Sequence, residues 1–187
     1  MTKETYKFSG SGKVTTYNWM WKSARLALES AQNSEEGRFF NSMNALVYSA
    51  FAMEAFFNHL GLHLVDDWEK QERKLSKYKK LMKFRNDLGI TSDIKSEPYL
   101  SVSDAFDFRD LLAHGRTETI EKQEVLELSE EEAKRYMIDT EWMDFCTLDN
   151  AQRVFENIEK VITELYKAAE LGDYPFLHFH SSVYSRA

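Results

Sequence analysis

Along most of this chain, apolar residues recur at steps of three and four, the spacing that aligns side chains on one face of an α-helix. The pattern predicts a first helix capped by Thr15 or Thr16, a central helix over 39–60 and a last helix over about 149–171. The central segment is apolar on most sides, as is typical of a helix that contacts several neighbours. We expect Gly61 to end this central helix.

Two more long helices are predicted between the central and the last one. The first is basic and covers roughly 68–86. The second covers about 101–114, after a loop at 86–98, with Ser101 or Ser103 as its cap. Short connections favour antiparallel neighbours, so the predicted fold is all-α, an up-and-down bundle of four to five helices.

The segment after the predicted 101–114 helix has a weaker pattern. Residues 117–128 fit either a strand or a loop. Ser129 and Glu132 fit a capping box, which would open a short helix that ends near Ile138.

The two ends of the chain differ from its helical body. Residues 1–16 are expected to form a lead-in, irregular or a short strand, with a Gly/Ser turn at 9–12. The 172–187 segment is an aromatic tail, which we expect to dock on the rest of the molecule. Because no repeat, low-complexity tract or linker interrupts the pattern, 1–187 is expected to be one helical domain.

Composition narrows the class of protein. The chain has 187 residues, of which 43% are apolar and 14% aromatic, and this excludes a disordered chain. The lone Cys146 excludes an internal disulfide framework. The longest weakly charged stretch, 39–65, is too polar to span a bilayer, and the first residues lack the apolar core of a signal peptide. We therefore expect a cytoplasmic protein with no membrane partner.

Charge is spread unevenly along the chain. The net charge is −7, which argues against non-specific binding of nucleic acid by the whole surface, yet segment 70–85 holds eight Lys/Arg and a single Glu. Its basic side chains are either a solvated helix surface or a groove for an RNA backbone. The candidate RNA-binding residues are Lys70, Arg73, Lys74, Lys77 and Lys80.

The 101–114 helix carries an unusual arginine. On an ideal helix, Arg109 falls inside the apolar arc, whereas Asp110 and His114 fall together on the opposite side. A guanidinium on an apolar face is costly unless it is paired. The central helix offers Glu54, the only Asp, Glu, Lys or Arg between Phe39 and Val65, with Asn58 one turn further along. One interpretation is therefore structural, an Arg109–Glu54 pair between helices. In the same interpretation, His114 is an ordinary last-turn histidine that is followed by a glycine cap.

A second interpretation comes from a family resemblance. The stretch "RDLLAH", with Arg109, Asp110 and His114, resembles the signature of the HEPN superfamily, in which Arg is followed four to six residues later by His. The trailing "HGR" and the 49–61 stretch "SAFAMEAFFNHLG", with Glu54 and Asn58, are also similar to such domains. The likeness covers roughly 17–171.

This resemblance implies a helical bundle that dimerises so that two motif helices line a shared cleft. Many such domains are metal-independent endoribonucleases of toxin–antitoxin or phage-defence systems, and others are inactive modules that bind proteins. Expected partners are thus RNA, a second copy, and an antitoxin or other protein. Leu112 stands where a nucleotidyltransferase-partnered subgroup has a tyrosine, so the chemistry tied to that tyrosine is not supported.

The residue types suit cleavage of RNA by its own 2′-OH. His114 can move the proton near neutral pH, and Arg109 can hold charge on the phosphate. Asp110, on the face of His114, is expected to orient the imidazole. Arg109 and His114 project about 140° apart on an ideal helix, so a common cleft requires local distortion or a second subunit. Neither a cofactor nor a metal is expected.

Other candidate sites are weaker. His59 and His63, with Asp66 or Asp67, have metal-ligand chemistry, but Gly61 is expected to interrupt their helix. His178 and His180 alternate in the tail, where an edge strand is favoured over a metal site. Cys146 has no evident activating neighbour, which favours a packing role.

Overall fold

The protein is mostly helical, as the apolar spacing predicts. A computed structural model describes residues 8–117, 119–136, 140–177 and 180–186. In that part of the chain, eight helices and two strands follow one another in this order: β1 Phe8–Val14, α1 Thr16–Asn33, α2 Arg38–Leu64, α3 Trp68–Glu72, α4 Lys77–Asp87, α5 Tyr99–Ala113, α6 Glu130–Arg135, α7 Glu141–Phe145, α8 Leu148–Ala168 and β2 His180–Arg186. Among these described helices, none is both long and apolar enough to cross a bilayer.

The four longest helices alternate in direction, and α2 lies among the other three. Within each pair, residue numbers rise along one helix as they fall along its neighbour. Glu54 of α2 contacts Arg109 of α5 whereas Phe57 contacts Phe106, and Trp21 of α1 contacts Glu159 of α8 whereas Gln32 contacts Gln152. The contacts of Tyr17 with His59 and of Tyr99 with Glu164 likewise join an early residue of one helix to a late residue of the other. Helices α1, α2, α5 and α8 therefore run up, down, up and down.

The hydrophobic core lies where α2 faces α1, α5 and α8. Phe56 and Phe57 are fully buried, as is Phe106 from α5. The rings of Phe57 and Phe106 meet edge to face with centroids 6.2 Å apart. Each buried side chain of this size contributes roughly 1.5–3 kcal/mol of transfer free energy. The wide apolar surface of the central helix is explained by these neighbours on several sides.

The prediction that Gly61 ends α2 is wrong. The helix continues to Leu64, and Val65 is the residue that caps it. Gly61 instead lies directly against the indole of Trp68, where an added Cβ would overlap the ring. The glycine is needed for close approach between α2 and α3, and not for a left-handed cap.

The predicted basic helix over 68–86 is two helices. Asp67 precedes α3 with a φ of 54°, and the chain turns again before Ser76. The Ser76 hydroxyl accepts a hydrogen bond from the Lys79 backbone N–H at 3.3 Å and so caps α4. The 101–114 helix also begins earlier than predicted, at Tyr99. Neither predicted serine caps it, because Ser101 is buried inside the helix and donates to Glu97.

The segment between α5 and α7 has little regular structure. The described residues of 117–128 form neither helix nor strand, which resolves that ambiguity in favour of a loop. The predicted capping box is confirmed, since Ser129 and Glu132 exchange hydrogen bonds at the start of α6. The predicted helix end at Ile138 lies outside the described residues.

The two ends of the chain meet. Strand β1 pairs antiparallel with β2, from Phe8 opposite Arg186 to Val14 opposite His180. The predicted turn at 9–12 is wrong, because its residues lie within β1. His180 lies in a strand, which is the interpretation that the sequence favoured over a metal site. His178 and residues 1–7 lie outside the described residues.

The start of the predicted aromatic tail contacts α1. The Tyr17 hydroxyl donates to the Pro175 carbonyl at 2.5 Å, and Trp21 stacks on Phe176 with ring centroids 4.5 Å apart. These contacts hold the chain between α8 and β2 against the bundle.

Candidate active site

Helix α5 places Arg109 at the edge of the core. The buried residues Val102, Ala105 and Phe106 anchor one face of the helix, and the Arg109 side chain emerges beside them with 20% of its surface exposed. Its guanidinium lies over the ring of Phe51 on α2, 5.7 Å from the ring centroid. The arginine side chain is thus mostly packed against α2 and α5, and a fifth of its surface remains exposed.

The Arg109 guanidinium joins two carboxylates. It donates to Glu54 on α2 and, through the other terminal nitrogen, to Asp110 at 2.8 Å. The inter-helix pair proposed on structural grounds is therefore present. The Nε of Arg109 is buried and has no hydrogen-bond partner among the described residues.

Asp110 binds a second cation that the sequence reasoning placed elsewhere. Lys77 on α4, assigned to a basic RNA-binding face, donates to the Asp110 carboxylate and is only 12% exposed. Glu54, Lys77, Arg109 and Asp110 form a set of two acids and two bases, which we call the paired-charge cluster. Opposite charges in contact offset the cost of partial burial.

This cluster changes the role expected for Asp110. Its carboxylate faces Arg109 and Lys77, and within the described residues no hydrogen bond joins it to the His114 side chain. The orientation of the imidazole by Asp110 is therefore not observed. Asp110 instead accepts from Nη1 of the Arg109 guanidinium, whereas Glu54 accepts from Nη2.

Asn58 contacts a lysine instead of Arg109. The Lys80 ammonium donates to the Asn58 side-chain oxygen at 3.0 Å and to Glu72 at 2.9 Å. It also lies 5.6 Å from the centroid of the Trp68 ring, and the residue is buried. Lys80 thus ties α4 to α2 and α3 in the interior.

The predicted basic face is consequently not continuous. Lys77 and Lys80 turn inward, which contradicts their placement on an outer surface. Arg73 and Lys74 are exposed between α3 and α4, and the exposed Lys70 pairs with Asp67 at 3.1 Å. Of the five candidate RNA-binding residues, the three before α4 are therefore exposed and the two on α4 point inward.

The contact between Tyr78 of α4 and Asp107 of α5 was also not predicted from the sequence. Tyr78 donates to Asp107 while its neighbour Lys77 binds Asp110, so α4 meets α5 along one polar seam. Burial, followed by this hydrogen bond, raises the pKa of the Tyr78 hydroxyl well above its usual range. The only available signal was the three-residue spacing of the two aspartates, which places them on one face.

His114 lies at the exposed end of α5. It is the residue that caps the helix, with φ −110° and ψ 10°, and its backbone N–H donates to the Asp110 carbonyl at 2.9 Å. Gly115 follows without the left-handed conformation expected of a glycine cap, because its N–H bonds to Leu112 in a tighter turn. Within the described residues, no hydrogen bond links the His114 imidazole to Arg109.

The other candidate sites do not assemble. His59 packs between Tyr17 and Tyr166, and burial together with His63 lowers its pKa to about 4. Among the described residues, no group of three His, Cys, Asp or Glu side chains is placed to hold a metal. Cys146 is buried, and burial raises its pKa to about 11, which suits a packing role.

No family model matches this chain, and neither a curated protein nor a solved structure does so. The paired-charge cluster and the exposed histidine at the end of the same helix are the features of this chain that bear on its function.

Proposed function

We propose that this protein is a metal-independent endoribonuclease of HEPN type, active as a cytoplasmic homodimer in toxin–antitoxin or phage defence. The observation that carries the proposal is the placement of Arg109 and His114. One motif helix holds a partly exposed arginine side chain and, five residues later, an exposed histidine at its end. A charged donor for phosphate and a side chain that can accept and donate a proton are what transesterification of RNA requires.

In the proposed reaction, the 2′-OH of RNA attacks the adjacent phosphorus. One His114 takes the proton of the attacking oxygen, and a second protonates the leaving 5′-oxygen. Arg109 donates to the non-bridging phosphate oxygens, on which negative charge develops. The products are a 2′,3′-cyclic phosphate and a 5′-OH end.

A second copy supplies the second histidine. Exposed apolar surface on α2 supports such an assembly, since Phe51, which lies against the Arg109 guanidinium, is 38% exposed and Phe40 is 61% exposed. The two phenylalanines are eleven residues apart and thus lie on nearly the same side of α2. Exposed apolar side chains in line with one another favour contact with another protein surface.

The test uses purified full-length protein and end-labelled single-stranded RNA in buffer that contains EDTA. Wild type and His63→Ala should cleave and leave a 2′,3′-cyclic phosphate, whereas His114→Ala should not. His63 is a matched control because it is also exposed, at the far end of α2. Cleavage that disappears on chelation, or that persists in His114→Ala, would overturn the proposal.

The second candidate is a catalytically inactive HEPN-like module that binds other proteins. The contact between Arg109 and Glu54 favours it, because a paired arginine already has a structural task. In this case, Arg109→Ala lowers stability, and neither this variant nor His114→Ala changes any RNA. Toxicity of wild type but not of His114→Ala in cells would argue against the inactive module.

A further inference from the structure

A groove lies between α5 and α7, on a different face of α5 from the one that binds α2. It encloses about 380 Å³, within the range of roughly 300–1,000 Å³ that is typical of ligand clefts. Side chains from α5 and from the short helix α7 line it. Arg109 and His114 are not among them, so the groove is separate from the candidate active site.

Aromatic and aliphatic side chains form the floor of this groove. The rings of Phe108 and Phe145 are in contact, with centroids 5.3 Å apart, and Trp142 lies beside them. Leu111 also lines the groove and is 47% exposed. The aliphatic part of a long side chain can pack on such a floor, and the faces of the aromatic rings in the floor attract a cation.

Three carboxylates surround the floor: Asp104, Asp107 and Glu141. Asp104 is already paired with Arg153 at 2.8 Å. Asp107 accepts only from the neutral Tyr78 hydroxyl, and no described Lys, Arg or His lies within ion-pair distance of Asp107 or Glu141. Two negative charges at the edge of an apolar groove are therefore uncompensated.

We propose that this groove binds a lysine- or arginine-rich segment of a partner protein. Charge complementarity selects a cation, because the negative charges have no internal counter-ion. The apolar floor and the exposed Leu111 favour a peptide over a small cation. The aliphatic and apolar side chains of a peptide bury the apolar surface of the groove, whereas a small polar cation leaves that surface in contact with water. The site does not depend on the nuclease proposal and stands if the protein cleaves no RNA.

The experiment measures fluorescence anisotropy of a short fluorescein-labelled peptide that alternates lysine with leucine, titrated with the full-length protein. The groove variant is Asp107→Asn with Glu141→Gln, which removes charge and keeps shape. Its matched control is Glu36→Gln with Glu69→Gln, two exposed acids elsewhere with the same change in net charge. Leu111→Ser tests the apolar part, and circular dichroism checks that every variant is folded.

Wild type should bind the peptide, and the groove variant should raise Kd about tenfold, equal to about 1.4 kcal/mol. Leu111→Ser should also weaken binding, by about threefold, because the exposed part of this leucine side chain leaves water when the peptide binds. The Kd of the control variant should stay within about twofold of the wild-type value, as expected for surface charges distant from the groove. Three outcomes would overturn the proposal: no binding by wild type, equal loss in the control pair, or spermidine binding as tightly as the peptide through the same carboxylates.

Discussion

The Arg109 guanidinium donates to the Glu54 carboxylate and thereby joins α5 to α2 across an apolar contact. The two side chains are 20% and 30% exposed, so the pair is neither sealed from water nor freely solvated. An ion pair at this depth supports the helix register, and it also keeps a guanidinium close to the surface. The structural and the catalytic interpretations of Arg109 are therefore compatible.

Arg109→Ala should lower the free energy of unfolding by about 2 kcal/mol, because Glu54 loses its partner. The effect should be smaller than the roughly 3–5 kcal/mol of a fully buried pair, since water reaches both groups. Glu54→Gln combined with Arg109→Ala should cost less than the sum of the single changes. Urea denaturation of all three variants measures this coupling, and strictly additive losses would show that the pair contributes nothing.

His114→Ala should change stability by less than about 0.5 kcal/mol, because the side chain is exposed at the end of α5. If His114 moves a proton, the same variant should lose at least about 100-fold in RNA cleavage. Thermal melting and single-turnover cleavage on one preparation separate the two effects. A large fall in melting temperature would mean that the lost activity reports unfolding.

Stability should fall as the solution is acidified below about pH 6.5, because the folded state holds His59 with a pKa near 4. Between these values the unfolded chain binds the proton and the folded chain does not, so stability is complete above pH 6.5 and is lost toward pH 4. The contribution is about 1 kcal/mol after allowance for solvent screening of a partly exposed ring. Urea denaturation from pH 7.5 to 5.5 should show a flatter dependence of stability on pH for His59→Gln than for wild type, and an equal dependence would contradict this contribution.

Gly61→Ala should destabilise the protein by about 1–3 kcal/mol, because the new methyl group overlaps the Trp68 ring. Replacement of glycine by alanine inside a helix normally raises stability, so a loss of stability would itself indicate the contact with Trp68. Trp68→Leu in the Gly61→Ala background should recover part of the loss by removing the clash. A stabilised Gly61→Ala variant would contradict the close contact between α2 and α3.

The exposed cations between α3 and α4 should behave differently toward RNA from the buried Lys80 of α4. Arg73→Gln with Lys74→Gln should weaken binding and reduce the salt dependence of log K by about 0.7 for each phosphate that is no longer neutralised. Lys80→Met should leave that dependence unchanged and instead cost about 1–3 kcal/mol of stability, because Asn58 and Glu72 lose their donor. Filter binding at several salt concentrations, with urea denaturation, distinguishes the two classes.

The order of residues along the chain was enough to predict the long helices and the buried face of most of them. Helical periodicity is local, so α2 and α8 were predictable from the spacing of their own apolar residues. The capping box at Ser129 is equally local. The pairing of Arg109 with Glu54 was predictable for another reason: each is a charge on an apolar helix face, and burial makes an unpaired charge costly.

The way in which neighbouring helices present their polar side chains to one another became visible only in three dimensions. The close approach of Trp68 to Gly61 depends on the angle between α2 and α3, which no residue pattern in either helix encodes. Likewise, Lys77 and Lys80 have the same spacing as solvated lysines, and they turn inward because α5 and α2 place carboxylate and amide oxygens opposite them. A side chain's partner is set by packing between segments distant in the chain, and periodicity within one segment carries no information about that packing.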